Sequence, residues 1–244
     1  MSLVLVTGST RGLGLATARR LAEAGHHVIL TGRGAADVEA AVSALRAEGV
    51  VVEGHPLDVT DQASVASLVA WVQERHGELD VLVNNAGILP EATATDAVDF
   101  ASVDLFRTTF ETNVFGLVAV TEALLPLLRA SGAARIVNVS STVGSLAAQT
   151  DPASPWYEML VPAYQTSKSA VNALTIQLAK KLAGTDIVVT AVCPGWVQTD
   201  LAPGNWEQAP LTADEAAVVV AAAAVAPDGT PSGRFVDAAG TVAW

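Results

Sequence analysis

Seven short runs rich in branched apolar residues recur along the chain: Leu3 to Thr7, His27 to Thr31, Val50 to Glu53, Leu79 to Asn84, Arg135 to Ser140, Ile187 to Cys193 and Phe235 to Asp237, with helical patterns filling the gaps between them. Strands that alternate with helices share one sheet through right-handed crossovers, so the pattern predicts an α/β chain with a doubly wound, mostly parallel sheet of about seven strands. The runs show little polar alternation, as expected when helices cover both faces. Gly25, Gly49, Gly77 and Gly184 each stand between a helical pattern and the next strand, where a left-handed cap ends a helix. Thr212 and Glu215 have the spacing of a capping box.

A chain of 244 residues without repeats, linkers or charge blocks is expected to form one core, residues 1–244, interrupted by an irregular insertion at about 145–162. Within the insertion, Gln149 to Pro162 holds three prolines and two large aromatics, and it reads as a loop or short lid. The net charge of -12 argues against nucleic acid and anionic membranes as partners, because phosphate binding needs concentrated Lys and Arg. Cys193 is the sole cysteine, so no intrachain disulfide forms, and a reducing, cytoplasmic location is expected. Leu3 to Val6 lacks the basic flank of a signal peptide, and the apolar stretch Ala216 to Ala226 is about half the roughly 20 residues of a membrane span, so none is expected. His26, His27, His55 and His76 lack ligand spacing, read as surface residues, and give no metal site.

Chemistry begins at Thr7-Gly8-Ser9-Thr10-Arg11-Gly12-Leu13-Gly14, between the first strand and the first helix. Glycines there let backbone N–H groups and a helix N-terminus approach a pyrophosphate, which predicts a dinucleotide site. An NAD site usually has an acid at the end of the second strand, but this chain reads Thr31-Gly32-Arg33. A guanidinium pairs with a 2′-phosphate, so Arg33, with Arg11 approaching from the turn, points to NADP(H) despite Asp37 nearby. Asp58, beside Val59, is placed either to accept from the adenine amino group or to cap the turn at Thr60 and Asp61. Tyr164 and Lys168, four apart on a helix, share a face with Cβ atoms roughly 6 Å apart. A phenol can protonate the oxygen of a carbonyl under reduction, yet lowering its pKa by three units takes about 4 kcal/mol. One charge 4 Å away in water gives only about 1 kcal/mol, so Lys168 must act in a desolvated site helped by a second charge.

These segments resemble the short-chain dehydrogenase/reductase family over essentially the whole chain. The resemblance rests on the glycine turn, Asn84-Asn85-Ala86-Gly87, Thr112 to Gly116, Ile136 to Ser141, Tyr164 to Lys168 and Cys193 to Asp200. It implies a Rossmann fold, and Cys193 to Asp200 with Leu124 to Leu128 is most similar to NADPH-dependent carbonyl reductases. The implied roles are proton donation by Tyr164, a hydrogen bond from Ser141 to the substrate oxygen, and a contact of Lys168 with the nicotinamide ribose. Asn113 would hold a water that links Lys168 to solvent. Asn85, Ala86 and Gly87 would wall the adenosine pocket, and Pro194, Gly195, Val197 and Thr199 would pass the nicotinamide. Chemically either Ser140 or Ser141 serves; the family motif selects the second and leaves Ser140 to cap a turn. Cys193 reads as a small buried residue.

Ser141 and Tyr164 lie further apart here than in the family's compact members, and the extra length is the insertion. Trp156, Tyr157 and Met159 are expected to line or cover a pocket for a hydrophobic carbonyl, or to pack the insertion. The remaining pocket walls fall in 89–99, 145–162 and 200–210, whose shape the sequence leaves open, as it does the oligomeric state. NADPH-dependent reduction of an aldehyde, ketone or quinone is the expected activity. The alternatives are an NAD-dependent alcohol dehydrogenase and a non-catalytic NADP-binding sensor.

Overall fold

The computed structural model describes residues 1–95 and 99–244; residues 96–98, part of the expected pocket wall at 89–99, lie outside them. The elements follow the order expected of a doubly wound sheet. Strands are β1 (Leu3–Val6), β2 (His27–Gly32), β3 (Val52–Pro56), β4 (Val81–Asn84), β5 (Arg135–Val139), β6 (Val188–Val192), β7 (Arg234–Asp237) and β8 (Gly240–Thr241). Helices are α1 (Gly12–Glu23), α2 (Ala35–Ala47), α3 (Gln62–Arg75), α4 (Val103–Phe110), α5 (Leu117–Ala130), α6 (Leu146–Thr150), α7 (Pro162–Lys181), α8 (Asn205–Gln208) and α9 (Ala213–Ala224). In the sheet the order is β3-β2-β1-β4-β5-β6-β7-β8, with β8 alone antiparallel. Strand order reverses between β1 and β4, and the crevice at the carboxyl ends there is where such sheets bind ligands.

Alternate residues of each strand feed two cores. Leu5, Ile29, Leu82, Ile136 and Val189 meet Leu68, Val72 and Leu124 on one face. Val4, Val6, Leu30, Val83 and Val137 meet Leu21, Val42, Leu45 and Val220 on the other. Each buried Val or Leu contributes roughly 1.5–3 kcal/mol, which is why the inner strands such as β1, β4 and β6 are buried and largely apolar on both sides.

Three expectations need correction. β3 is shifted from the expected Val50 to Glu53: it begins only at Val52 and runs on through Gly54 to Pro56. A Cβ on Gly54 would lie 2.5 Å from Val38 and 2.7 Å from Val42, so α2 presses directly on this strand, and Pro56 is tolerated at its end because β3 is an edge. The insertion is not wholly irregular: Ser145 caps α6 by accepting from the Ala148 amide at 3.1 Å, and the Ala147 amide donates to the Trp244 carbonyl. The histidines are half-buried rather than surface residues. The stretch Val103–Ala130 is long and apolar enough to cross a membrane, although half of its most apolar window is buried against the rest of the chain. The expected glycine caps and capping box are present, with φ of +87°, +85°, +77° and +85° at Gly25, Gly49, Gly77 and Gly184.

Candidate active site

The glycine turn is shaped by space and stapled by neutral side chains. Gly8 and Gly12 have φ of +62° and +56°, a region that other residues rarely enter. Gly14 is helical, but a Cβ there would strike the Gly8 carbonyl and the Asn85 amide. Asn85 Nδ2 donates to the carbonyls of Thr7 (2.8 Å) and Gly8 (3.0 Å), while Thr7 Oγ1 accepts from the amides of Asn85 and Ala86. Asn85 thus ties the segment after β4 to the glycine turn. α1 has no side-chain cap and no acid in its first turn, so its leading N–H groups and positive dipole end fit an anion. Gly32 leaves room for Thr10, whose methyl would lie 2.6 Å from a Cβ on that glycine.

At the adenosine end, Arg33 is exposed and forms no ion pair among the described residues. Asp58 closes the turn: its Oδ1 accepts from the Thr60 hydroxyl (2.7 Å) and amide (3.0 Å), and Asp61 rather than Asp58 caps α3. Those bonds, with a further contribution from the charge of Arg33, hold the Asp58 carboxyl below its ordinary value. The side chain of Val59 belongs to the core and packs on Gly116. Asp37 folds back onto Gly34 at the start of α2. Arg11 departs from expectation. Its Nη1 pairs with Asp200 at 3.0 Å across the cleft, and Trp206 Nε1 donates to the same carboxylate at 2.9 Å. Both charges are exposed, and such pairs contribute about 0.2–1 kcal/mol, so a phosphate could exchange for Asp200 at little cost.

On the other side of the crevice, α7 carries Tyr164 in its first turn and Lys168 one turn later. Lys168 is 5% exposed; its Nζ donates to the Val139 carbonyl at 2.9 Å and lies 5.5 Å from the centre of the Tyr164 ring. A Cβ on Gly87 would come within 3.8 Å of Lys168 Nζ and 3.4 Å of Asn113 Oδ1, so this glycine keeps the space beside the ammonium open. Burial lowers Lys168 to about 8 and pushes the Tyr164 phenol above its ordinary value. Desolvation thus works on both partners, and the lysine charge does not by itself bring the phenol down.

The turn-capping role expected of Ser140 falls to Ser141. Ser140 is buried and donates to Asn172 Oδ1 at 2.6 Å, whereas Ser141 is part-exposed and caps the short turn Thr142–Gly144. Ser141 remains the serine with an accessible hydroxyl. Asn113 stands in a π-helical turn, Glu111–Gly116, between α4 and α5. Its Nδ2 donates to the Ile88 carbonyl (3.0 Å) and Ser167 Oγ (3.1 Å), and its Oδ1 accepts from the Ile88 amide (2.8 Å). The side-chain amide is occupied, which leaves the main-chain carbonyl or the second Oδ1 lone pair to hold a water.

After β6, Gly195 has φ +86° and Val197 bridges to Leu211, while Thr199 lies 3.3 Å from where Gly12 would carry a Cβ. Pro194 to Thr199 thus closes over the glycine turn. Cys193 is buried, and its Sγ accepts from the Thr142 amide at 3.2 Å. Trp156 meets Trp196 edge-on, with centroids 6.5 Å apart, while Tyr157 and Met159 stay exposed. The insertion therefore reaches the loop after β6 through one aromatic pair.

One positioning residue had no signal in the sequence. Glu91 accepts from the amides of Ala163 (2.9 Å) and Tyr164 (2.7 Å), so its carboxylate caps the start of α7 and fixes the backbone that bears the phenol. Asn84, Asn138 and Thr175 form a second hidden ladder that joins β4 and β5 to α7. A groove of about 760 Å³ lies near the opposite ends of β5 and β6, lined by Arg135, Lys180, Asp186 and Asp228. It holds none of these groups, so chemistry rather than cavity size identifies the site.

The family model for short chain dehydrogenases matches residues 2–210, and the chain belongs to that family of nicotinamide-dependent oxidoreductases. A Streptomyces virginiae protein named for ketoacyl reduction in the monensin polyketide synthase is 41% identical over 202 residues, 82% of this chain and 72% of that one. The NADPH-bound carbonyl reductase from chicken fatty liver superposes with a TM-score of 0.82 at 28% identity, covering 100% of this chain and 99% of that one. Actinorhodin polyketide ketoreductase with NADPH gives a TM-score of 0.81 at 30% identity, covering 97% and 95%.

Proposed function

We propose that the protein reduces the carbonyl of an apolar ketone, aldehyde or quinone to the alcohol with NADPH. The observation that carries this reading is the buried Lys168 ammonium, held by Val139 beside the Tyr164 ring in a crevice whose opposite wall is an uncapped helix N-terminus. Arg33, exposed and unpaired among the described residues, and the absence of an acid at the end of β2 support the 2′-phosphate form, as do the two NADPH-bound structures that resemble the chain.

Bound in the crevice, the reduced nicotinamide supplies hydride. Ser141 offers a hydroxyl donor to the carbonyl oxygen, an interaction that strengthens as that oxygen gains charge. Tyr164 gives its proton to the same oxygen. The phenol, raised by burial, holds its proton at neutral pH and so can give it to the substrate oxygen. Lys168 stabilises the phenolate left behind, and Asn113 connects that ammonium to water for reprotonation. The Trp156–Trp196 pair and the exposed Met159 favour an apolar substituent on the substrate.

A panel of aromatic aldehydes, diketones, quinones and steroid-like ketones, assayed with NADPH and then with NADH, tests the reading. NADPH oxidation with at least one compound, faster than with NADH, is the expected result. A preference for NADH would overturn the cofactor assignment. Tight NADPH binding with no turnover on any carbonyl would favour a non-catalytic binder.

A further inference from the structure

Three side chains that carbonyl reduction does not use converge at the amino edge of the sheet. His27 opens β2, Glu53 is the second residue of β3, and His76 ends α3. Pairing of Ile29 with Glu53 puts Glu53 on the same sheet face as His27, diagonally across from it, and α3 brings His76 over both. Glu53 Oε1 lies 2.9 Å from His27 Nε2 and 3.6 Å from His76 Nε2, and one ligand atom from each residue lies within 4.8 Å of the others. The imidazoles meet edge-on at 82°. The three side chains are only 21%, 20% and 17% exposed, in chain order.

Neither Nε2 has a hydrogen-bond partner among the described residues although both are buried. His27 Nε2 lies within bonding distance of Glu53, at 2.9 Å, but makes no hydrogen bond to it. Two orphaned ring nitrogens facing one carboxylate oxygen are an arrangement that proteins normally avoid. A cation between them would satisfy all three groups. We propose that His27, Glu53 and His76 form a binding site for a divalent transition-metal ion of the zinc type, with water completing its coordination.

The chemistry of the donor set agrees. Two imidazoles and one carboxylate suit Zn²⁺ better than Mg²⁺ or Ca²⁺, which prefer all-oxygen shells. Metal–ligand bonds of about 2.0–2.2 Å place neighbouring ligands roughly 3.0–3.5 Å apart, and the observed 2.9 and 3.6 Å straddle that range. Arg75 approaches the other carboxylate oxygen, Oε2, at 3.4 Å and stacks over Trp71, so it orients Glu53 without occupying Oε1. Its guanidinium is more than half exposed, and solvent screens its repulsion of a second cation. The site joins β2, β3 and the end of α3, six residues of β2 or roughly 20 Å from the cofactor end at Arg33. Its role is to clamp that corner rather than to take part in catalysis.

The full chain, stripped with EDTA and dialysed, is titrated with ZnCl₂ by calorimetry and with CoCl₂ by visible absorption. One Zn²⁺ per chain, a raised Tm and a Co²⁺ ligand-field spectrum are expected. His27→Gln and His76→Gln should each weaken Zn²⁺ binding about tenfold or more and abolish the Co²⁺ spectrum, while His55→Gln should leave both intact. NADPH binding and circular dichroism verify that each variant is folded, and Glu53→Gln replaces any that is not. Absence of saturable Zn²⁺ binding in the wild-type chain, or equal binding in the His27 and His76 variants, overturns the site.

Discussion

The two walls of the crevice handle charge in opposite ways. Around the glycine turn the buried groups are neutral, namely Thr7 and Ser9 with the half-buried Asn85, and the charges of Arg11 and Arg33 stand in solvent. Around α7 the arrangement is reversed: Lys168 is buried, and the phenol beside it is desolvated. An exposed charge costs little and can be exchanged for a ligand's, which suits binding. A buried one has a displaced pKa, which suits proton transfer. Substitutions in the first wall should therefore act on cofactor affinity, and those in the second on turnover and its pH dependence.

The largest effect that separates the walls is expected from Lys168→Met. Turnover should fall about 100-fold or more, within the range of lost acid–base assistance, while Tm does not fall, because a desolvated ammonium is removed. A variant that loses stability but keeps turnover would place Lys168 in the wrong category. Next comes Arg33→Asp. Loss of a charge-assisted hydrogen bond of about 1.5–3 kcal/mol should cut the NADPH over NADH preference roughly 10- to 100-fold with little change in maximal rate. Unchanged preference would assign the 2′-phosphate to another group.

Glu91→Gln tests whether the second wall depends on aim as well as charge. Removing a helix cap of about 1 kcal/mol should lower kcat around fivefold and leave the NADPH Kd unaltered; a matching loss of NADPH affinity would mean a general structural defect. The smallest effect is the pH profile. Lys168 acts as a cation, so reduction should decline as pH rises through about 8. Stability should move the other way. The folded lysine binds fewer protons than the unfolded one between about 8 and its ordinary value, so unfolding free energy rises with pH across that window.

What the sequence revealed follows the same division. The alternation of strands and helices, the glycine turn, the left-handed helix caps and the Tyr164–Lys168 pair were legible, because each rests on periodicity, on φ or on helical spacing. β8, two residues long, carries no periodic signal, and the reach of β3 depended on α2 pressing on Gly54. Glu91 was invisible because its partners lie 72 and 73 positions away. Arg11 was read toward a phosphate, since no local pattern announces Asp200 as its partner. The histidines were missed for a related reason: His27, Glu53 and His76 become neighbours only through strand register and the return of α3.

The central claim is that the phenol at position 164 supplies the proton. Tyr164→Phe, assayed with saturating NADPH and a carbonyl found to be turned over by the wild type, tests it most directly. Turnover lost by about 100-fold or more, with NADPH binding and Tm unchanged, is the predicted result. Wild-type turnover in that variant would contradict the account.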